Sequence, residues 1–464
     1  MKYLALDLGT SFLKGAVLDL EQLTIEAAAR RPFPPPIADL PPLFCEVNPA
    51  AIVAATRELL DELAGHAPEA AGVVVCSQMH GLVLMGRHGE ALSNAVTWQD
   101  QRALLPNPRG DGTLFEFLQA RIPPAQQQAL GNGLKPSLPL CTLAWWAARS
   151  ELPAGAIPAS LPDYVLATLS GSPPVVEPTL AASMGALDLP TGRWHAVALA
   201  NLGLGSLAWP PLVEATAPAY ELPVGRRRLP CYPPVGDHQC AVLGALLQPG
   251  ELSLNISTGS QVSVLAPRFR AGDYEVRPYF DGGYLQTITR IPAGRALNAL
   301  VDLLLELAQA EGIPLKDPWA TIAAAVAATP ETDLQVDLAF FASPVGDRGA
   351  ITNIREETLT IGHLFRAAFQ AMARNYRLCA ERLAPPATWQ RLVYSGGVAQ
   401  RFAPLRDEIG AAFGTWQRLC PTTEDTLLGL LALALRDSGR ASSVAEATRL
   451  LWARYIEPAD AGST

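Results

Sequence analysis

The chain has 464 residues, of which 49% are hydrophobic and 17% charged, with a formal net charge of −9. That length allows about three average domains or two large ones with a sizeable core, and the composition excludes a disordered chain. The acidic balance, with no Lys/Arg stripe interleaved with aromatics, argues against nucleic acid as a partner; the run Arg226, Arg227, Arg228 stands alone and reads as a solvated loop.

The N-terminus alternates Leu4, Leu6, Leu8 on one face with Tyr3, Ala5, Asp7 on the other, which predicts a strand. Gly9-Thr10-Ser11 is a turn and Phe12 to Leu18 a second strand, so 3–18 reads as a hairpin. The Pro-rich stretch 31–42 reads as an irregular loop. Asn48 followed by Pro49 is a cap and first-turn proline, and Ile52, Ala55, Leu59, Leu60 and Leu63 come after it at helical spacing with Thr56 the polar member of that face. Val73 to Cys76 and Leu82 to Met85 are short strands flanking the polar SQMHG. Strands alternating with helices indicate an α/β class. Pro223, Gly225, Pro230, Pro233 and Pro234 mark 220–236 as the domain boundary, giving halves 1–234 and 235–464. After it the pattern restarts: LNISTGSQVSVL (254–265) is again strand, polar turn, strand, which suggests two similar domains. Helices are expected over Leu297–Ala308, His363–Leu383 and Asp425–Leu435.

Three segments read as phosphate or nucleotide loops. In DLGTSFLKGAV (7–17), Gly9, Thr10 and Ser11 let backbone N–H groups converge on an anion, and Asp7 at the strand end is a natural Mg²⁺ anchor beside phosphates; an ordinary hairpin turn reads equally well. Thr258, Gly259 and Ser260 suit the other side of a phosphate chain, though such turns are common. In RLVYSGGVAQR (391–401), Gly396 and Gly397, followed by Gln400, let a base or phosphate approach the backbone; a tight strand-to-helix turn is the other reading. In GDHQCAVLGAL (236–246), Asp237 is either a helix N-cap or a carboxylate that takes a proton from a substrate hydroxyl. SQMHG and TWQDQR supply Gln78, His80, Gln99, Asp100 and Arg102 as donors and acceptors, with Met79 and Trp98 as apolar walls, the mixture a polyol needs. RPYFDGGYLQT (277–287) adds Tyr279, Asp281 and Tyr284, as structural turn or pocket rim.

No apolar run approaches the ~18 residues of a membrane span; Leu427–Leu435 reads as a buried helix, and Asp7 falls where a signal peptide would be apolar. Seven cysteines with no C-x-x-C pair read as reduced thiols in a cytoplasm, not as a disulfide frame or zinc site.

In this order the segments resemble the FGGY carbohydrate kinases of the actin-like ATPase superfamily, over nearly the whole chain. DLGTSFLKGAV is similar to the first phosphate motif, ISTGSQ to the second, SGGVAQR to the adenosine motif and GDHQ to the catalytic-aspartate motif. Within the family, SQMHG and TWQDQR are similar to xylulokinases and sedoheptulokinases, and LPDYVLATLSG, AASMGALD, NISTGSQ and PYFDGGYL lean toward the latter. CTLAWW (141–146) lacks a lysine many xylulokinases carry, Glu177 stands near where they commonly have aspartate, and the loop at 32–42 is unlike compact xylulokinases.

The resemblance implies two actin-like, ribonuclease H-like α/β domains facing a central cleft, the N-terminal one holding mainly sugar and the C-terminal one mainly nucleotide. It implies transfer of phosphate from ATP, with Mg²⁺ at Asp7, to the terminal hydroxyl of a ketose: sedoheptulose first, D-xylulose second, with a non-catalytic ATP and sugar sensor as the competing class. Asp237 would be the base. Gln78, Met79, His80, Trp98, Asp100 and Arg102 would line the sugar, and Gly9, Thr10, Ser11, Thr258, Gly259, Ser260, Gly396, Gly397 and Gln400 the nucleotide. Lys14 reads as a phosphate contact or a solvated hairpin side chain. A homodimer in the cytoplasm is the family-level expectation.

Overall fold

The computed structural model describes residues 1–329 and 331–457. Two compact units form, each on its own sheet. The first comprises Met1–Leu246, Pro267–Tyr284 and the chain from Glu424 onward; the second comprises Leu247–Ala266 and Leu285–Thr423.

In the first unit the alternating N-terminal segment forms the strand Lys2–Leu8, antiparallel to Phe12–Asp19 and parallel to Val73–Ser77. Both faces of this strand are covered. Leu4, Leu6 and Leu8 pack in one core with Ile52, Leu59, Leu60 and Leu63 of the helix Pro49–His66. Tyr3 and Ala5 pack in another with Leu427, Leu430 and Leu431 of the helix Asp425–Asp437. The first helix is capped as expected, with Asn48 accepting from the Ala50 N–H. Its polar Thr56 is buried at little cost because Oγ1 donates to the Ile52 carbonyl at 2.8 Å.

The compact units differ from the halves 1–234 and 235–464. Tyr220–Val224 and Arg227–Cys231 are an antiparallel hairpin in the first sheet, not a linker. The prolines are tolerated because Tyr220–Val224 is the edge strand and Arg227–Cys231 pairs with Val73–Ser77 only at Cys231. The chain then returns twice to the first unit. The second return is dictated by packing: helices Asp237–Gly244 and Asp425–Asp437 meet backbone to backbone. A Cβ on Gly429 would lie 2.0 Å from the Cys240 carbonyl oxygen, and one on Gly244 1.8 Å from that of Asp425.

The second unit repeats the hairpin plan. Glu251–Ile256 is antiparallel to Ser260–Ala266 and parallel to Arg391–Ser395, beyond which lies Trp416–Leu419. Helices Gly294–Ala310 and Ile361–Leu383 start three and two residues earlier than hydrophobic spacing predicts. The latter begins where Thr360 accepts from the His363 N–H, and it buries Phe365, Phe369, Met372 and Tyr376.

Gly429→Ala is expected to destabilise the protein by ~1–3 kcal/mol through overpacking against a backbone that cannot yield. Gly65→Ala, at an exposed helix position with nothing within 4 Å of the new methyl, is expected to be neutral or stabilising. Thermal unfolding of the two variants checks the contrast.

Candidate functional site

Three strands of the first sheet, Lys2–Leu8, Val73–Ser77 and the short Val235–Gly236, run the same way and end side by side, with Leu8 and Gly236 each opposite Ser77. The residues just past these strand ends therefore emerge at one sheet edge: the turn Gly9–Ser11, the segment Gln78-Met79-His80, and Asp237. Carboxyl ends of parallel strands are where α/β sheets place ligands. The segments are tied together there. The Gln78 N–H donates to the Leu8 carbonyl at 3.0 Å, and its Nε2 to the Gly9 carbonyl at 3.4 Å. Trp98 Nε1 donates to Thr10 Oγ1 at 2.9 Å, and Thr10 in turn to Gln78 Oε1 at 3.5 Å.

Asp237 is the first helical residue, not the cap; Gly236 takes that place and donates its N–H to Thr179 Oγ1 at 2.9 Å. Burial, then the charge of Asp7, pushes the Asp237 carboxyl up to about 7. Asp7 is itself buried and raised, foremost by desolvation. Its Oδ2 accepts from Thr426 Oγ1 at 2.8 Å, while Oδ1 is buried without a partner. Asp425, which local spacing marks only as a helix start, is pushed up to about 6 by burial, with Asp7 adding repulsion. Three desolvated acids, two of them raised further by Asp7, with an orphan oxygen on Asp7, make a setting a cation would relieve. Among the described residues no three His, Cys, Asp or Glu groups form a cluster that could hold a metal ion by themselves. Lys14 is paired with Glu424 at 2.8 Å.

His80 sits at φ 66°, left-handed and strained for a non-glycine residue. Burial, then Lys135 and Arg277, hold it down to about 3, so it is neutral. Lys135, Glu275 and Arg277 act on it as a cluster that no local motif announces. Lys135 is far in sequence from the other two, and only folding unites them. Tyr279 and Asp281 belong to the turn around Phe280–Gly282, with Asp281 at φ 54° accepting from the Ala445 N–H, and Tyr284 donates to the Leu189 carbonyl.

Asp100 and Arg102 are placed differently from the expected sugar lining. Each is 1% exposed. Arg102 donates from Nε and Nη2 to Asp100 at 2.8 and 2.7 Å and from Nη2 to Glu46 at 2.5 Å, with its guanidinium over the Phe44 ring. Asp100 also takes the Cys45 N–H at 2.8 Å. Their polarity is consumed internally, so they prop the loop that carries Trp98, itself 43% exposed.

In the second unit Asn255 stands opposite Ser395, so the turn Ser257–Gly259 and Gly396 emerge together. Gly396 has φ 86°, and a Cβ there would lie 2.4 Å from the Ile256 carbonyl oxygen; only glycine fits. The Gly294 and Arg295 N–H groups donate to the Ser257 and Thr258 carbonyls. Ser260 Oγ is occupied by the Ile291 carbonyl at 3.0 Å. Gly259 and Gly397 have open space around them, and Gln400 donates its N–H to the Gly396 carbonyl.

Residues 2–224 match the FGGY family of carbohydrate kinases, N-terminal domain. Human sedoheptulokinase is 25% identical over 464 aligned positions, covering 88% of this chain and 92% of the relative. Xylulose kinase of Streptomyces rubiginosus is 27% identical over 221 positions, 46% of this chain and 44% of the relative. Among solved structures, xylulose kinase from Rhodospirillum rubrum superposes with a TM-score of 0.81 at 22% identity, over 97% of this chain and 92% of that one. The fold is thus that of the sugar kinases of the actin-like class, and the chain matches the FGGY family of carbohydrate kinases over residues 2–224. It is an ATP-dependent sugar kinase. Among the described residues no helix is long and apolar enough to cross a membrane.

In the unfolded chain Asp237 ionises near the ordinary value of 3.8; in the folded chain it keeps its proton to about 7. Stability therefore falls as pH rises between these values, and the full cost is felt above pH 7. In chelator-containing buffer, Asp237→Asn is expected to raise the melting temperature at pH 8 by a few degrees, ~1 kcal/mol or more, and by less at pH 5. Melting curves at the two pH values check this.

Proposed function

We propose that this sugar kinase phosphorylates the terminal hydroxyl of a seven-carbon ketose, sedoheptulose, with Asp237 as general base. What carries the reading is the position of Asp237: a half-buried carboxylate poised near neutrality, at the sheet edge that also presents Gly9–Ser11 and His80. The hydroxyl oxygen attacks the γ-phosphorus of ATP, the bond to the β,γ-bridging oxygen breaks, and the hydroxyl proton passes to Asp237. Phosphoryl transfer depends mostly on positioning and charge neutralisation, so the base acts largely by orienting the hydroxyl.

Asp7 and Asp425 would hold Mg²⁺, which supplies neutralisation of phosphate charge; the orphan Oδ1 of Asp7 supports this. Gly9–Ser11 in the first unit, and Thr258, Gly259, Gly396, Gly397 and Gln400 in the second, are the proposed contacts to ATP. Lys14 would have to leave Glu424 to reach a phosphate. Gln78, Met79, His80 and Trp98 would meet the sugar, His80 as a neutral hydrogen-bonding group.

Sedoheptulose is preferred because the likeness to a sedoheptulokinase spans 88% of the chain, whereas that to the Streptomyces xylulose kinase spans 46%. D-Xylulose is the second reading, favoured by the fold match to xylulose kinases. A cytoplasmic homodimer is proposed only by analogy with the family.

In a coupled ADP assay over sedoheptulose, xylulose, ribulose, fructose and glycerol, sedoheptulose is expected to give the highest kcat/KM; a higher value for xylulose would replace the substrate. Asp237→Asn is expected to lower kcat by about 10²–10⁴ with Kd for ATP and ketose within about threefold. His80→Ala is expected to raise the ketose KM far more than the ATP KM, whereas Asp100→Ala acts mainly through lost stability.

A further inference from the structure

The short helix Pro178–Ser183 of the first unit is tied to the segment that carries Asp237. Glu177 caps this helix: its Oε2 accepts the Thr179 N–H at 2.7 Å and also the hydrogen of the Thr179 hydroxyl. A hydroxyl has one hydrogen and two lone pairs. With that hydrogen committed to Glu177, Thr179 Oγ1 has only lone pairs to offer elsewhere, and it accepts the Gly236 N–H at 2.9 Å. Thr179 is fully buried and Glu177 is 6% exposed, so these bonds are made away from bulk water. The same helix reaches the neighbouring segment. Ser183, one turn after Thr179 and so on the same face, accepts the His80 N–H at 3.5 Å while its own hydrogen goes to the Leu180 carbonyl at 2.7 Å.

We propose that Thr179, anchored by Glu177, is a positioning residue for the transfer: through the Gly236 amide it fixes where the Asp237 carboxylate stands. This role rests on Asp237 being the base proposed above. Gly236 is the last residue of its strand, opposite Ser77, and the cap of the helix Asp237–Gly244. It has no room to shift: a Cβ there would lie 2.7 Å from Gln239 Oε1 and 3.2 Å from Met79 Sδ. Asp237 follows directly, so its carboxylate is aimed by the torsions between the peptide that Thr179 holds and the first helical turn. A base acts only within about 2.6–3.2 Å of the hydroxyl it serves, and a misplacement of about 1 Å is enough to cost about 100-fold. Valine has the outline of threonine without the lone pairs. It would leave the Gly236 N–H buried and unpaired, and the strand end would move to satisfy it. Thr179 and Gly236 are 57 positions apart, so the tie exists only in the folded unit.

Thr179→Val is expected to lower kcat about 10- to 100-fold with the ketose and ATP KM values within about twofold, the pattern of a group that acts in the transition state. Thr179→Ser, which keeps the acceptor, is expected to stay within about threefold of the wild type. Thr56→Val makes the same change at another buried helical threonine and is expected to leave kcat unchanged, which separates positioning from lost stability. In the Asp237→Asn background, Thr179→Val is expected to add less than about twofold, because the carboxylate it positions is already gone. Hydrogen exchange reads the tie directly: the Gly236 amide is expected to exchange slowly in the wild type and faster in Thr179→Val. An unchanged kcat in Thr179→Val, its full loss repeated in the Asp237→Asn background, or rapid Gly236 exchange in the wild type would overturn the proposal. If Thr179→Val does not fold, the wild-type exchange rate and Glu177→Ala decide, the latter with an expected fall in kcat of about tenfold at constant KM values. Full turnover in Asp237→Asn would remove the base itself, whereas Gly236 exchange reports on the tie to Thr179.

Discussion

The desolvation of three carboxylates at one corner of the first unit is the constraint around which the rest is arranged. Asp7, Asp237 and Asp425 come from a strand end, a helix start and a second helix start. Burial raises each of them first, and Asp7 then adds its repulsion to the other two. A fold gains nothing in stability from such a grouping. It is held by packing elsewhere: both faces of the strand Lys2–Leu8 are buried, and helices Asp237–Gly244 and Asp425–Asp437 touch through Gly244 and Gly429. Below pH 7 a proton on Asp237 relieves part of this repulsion, and the proposed metal–nucleotide complex would relieve the rest with positive charge.

Around this corner, polar side chains divide into those consumed within the protein and those left available. Arg102, Asp100 and Glu46 satisfy one another and support a loop. Glu275 accepts from Lys135 and from Arg277 Nη2, and Arg277 Nη1 donates to His238. Two orphan oxygens stand out here: Asp7 Oδ1 and Gln239 Oε1 are among the buried atoms without partners. In a medium where an unpaired polar atom is costly, these mark where a ligand is worth most.

The two units use one plan, a polar-turned hairpin whose first strand pairs in parallel with a later strand. In each, register carries the turn and the next strand's exit to the same edge: Leu8 with Ser77, Asn255 with Ser395. The repeat was readable because strand–turn–strand patterning is local. The division of the chain between units was not, because Pro223 and Pro230 on edge positions look like a linker, and because the return of 267–284 and of the chain from Glu424 rests on contacts between residues far apart in sequence.

What the sequence determined by itself was therefore everything with a short range: the alternation that makes Lys2–Leu8 a strand, the Asn48 cap, the glycine that position 396 requires, and the ordered motifs that mark the FGGY family. It could also place Asp237 at the start of a helix. Tertiary structure alone decided how polar groups pair. It set Arg102 against Glu46, brought Thr426 to Asp7 across 419 positions of chain, with Asp425 beside it, and delivered Arg277 to His238. The physical reason is that propensity and patterning act over one or two turns of chain, whereas hydrogen bonds and ion pairs are chosen by distance in space, which no local window contains.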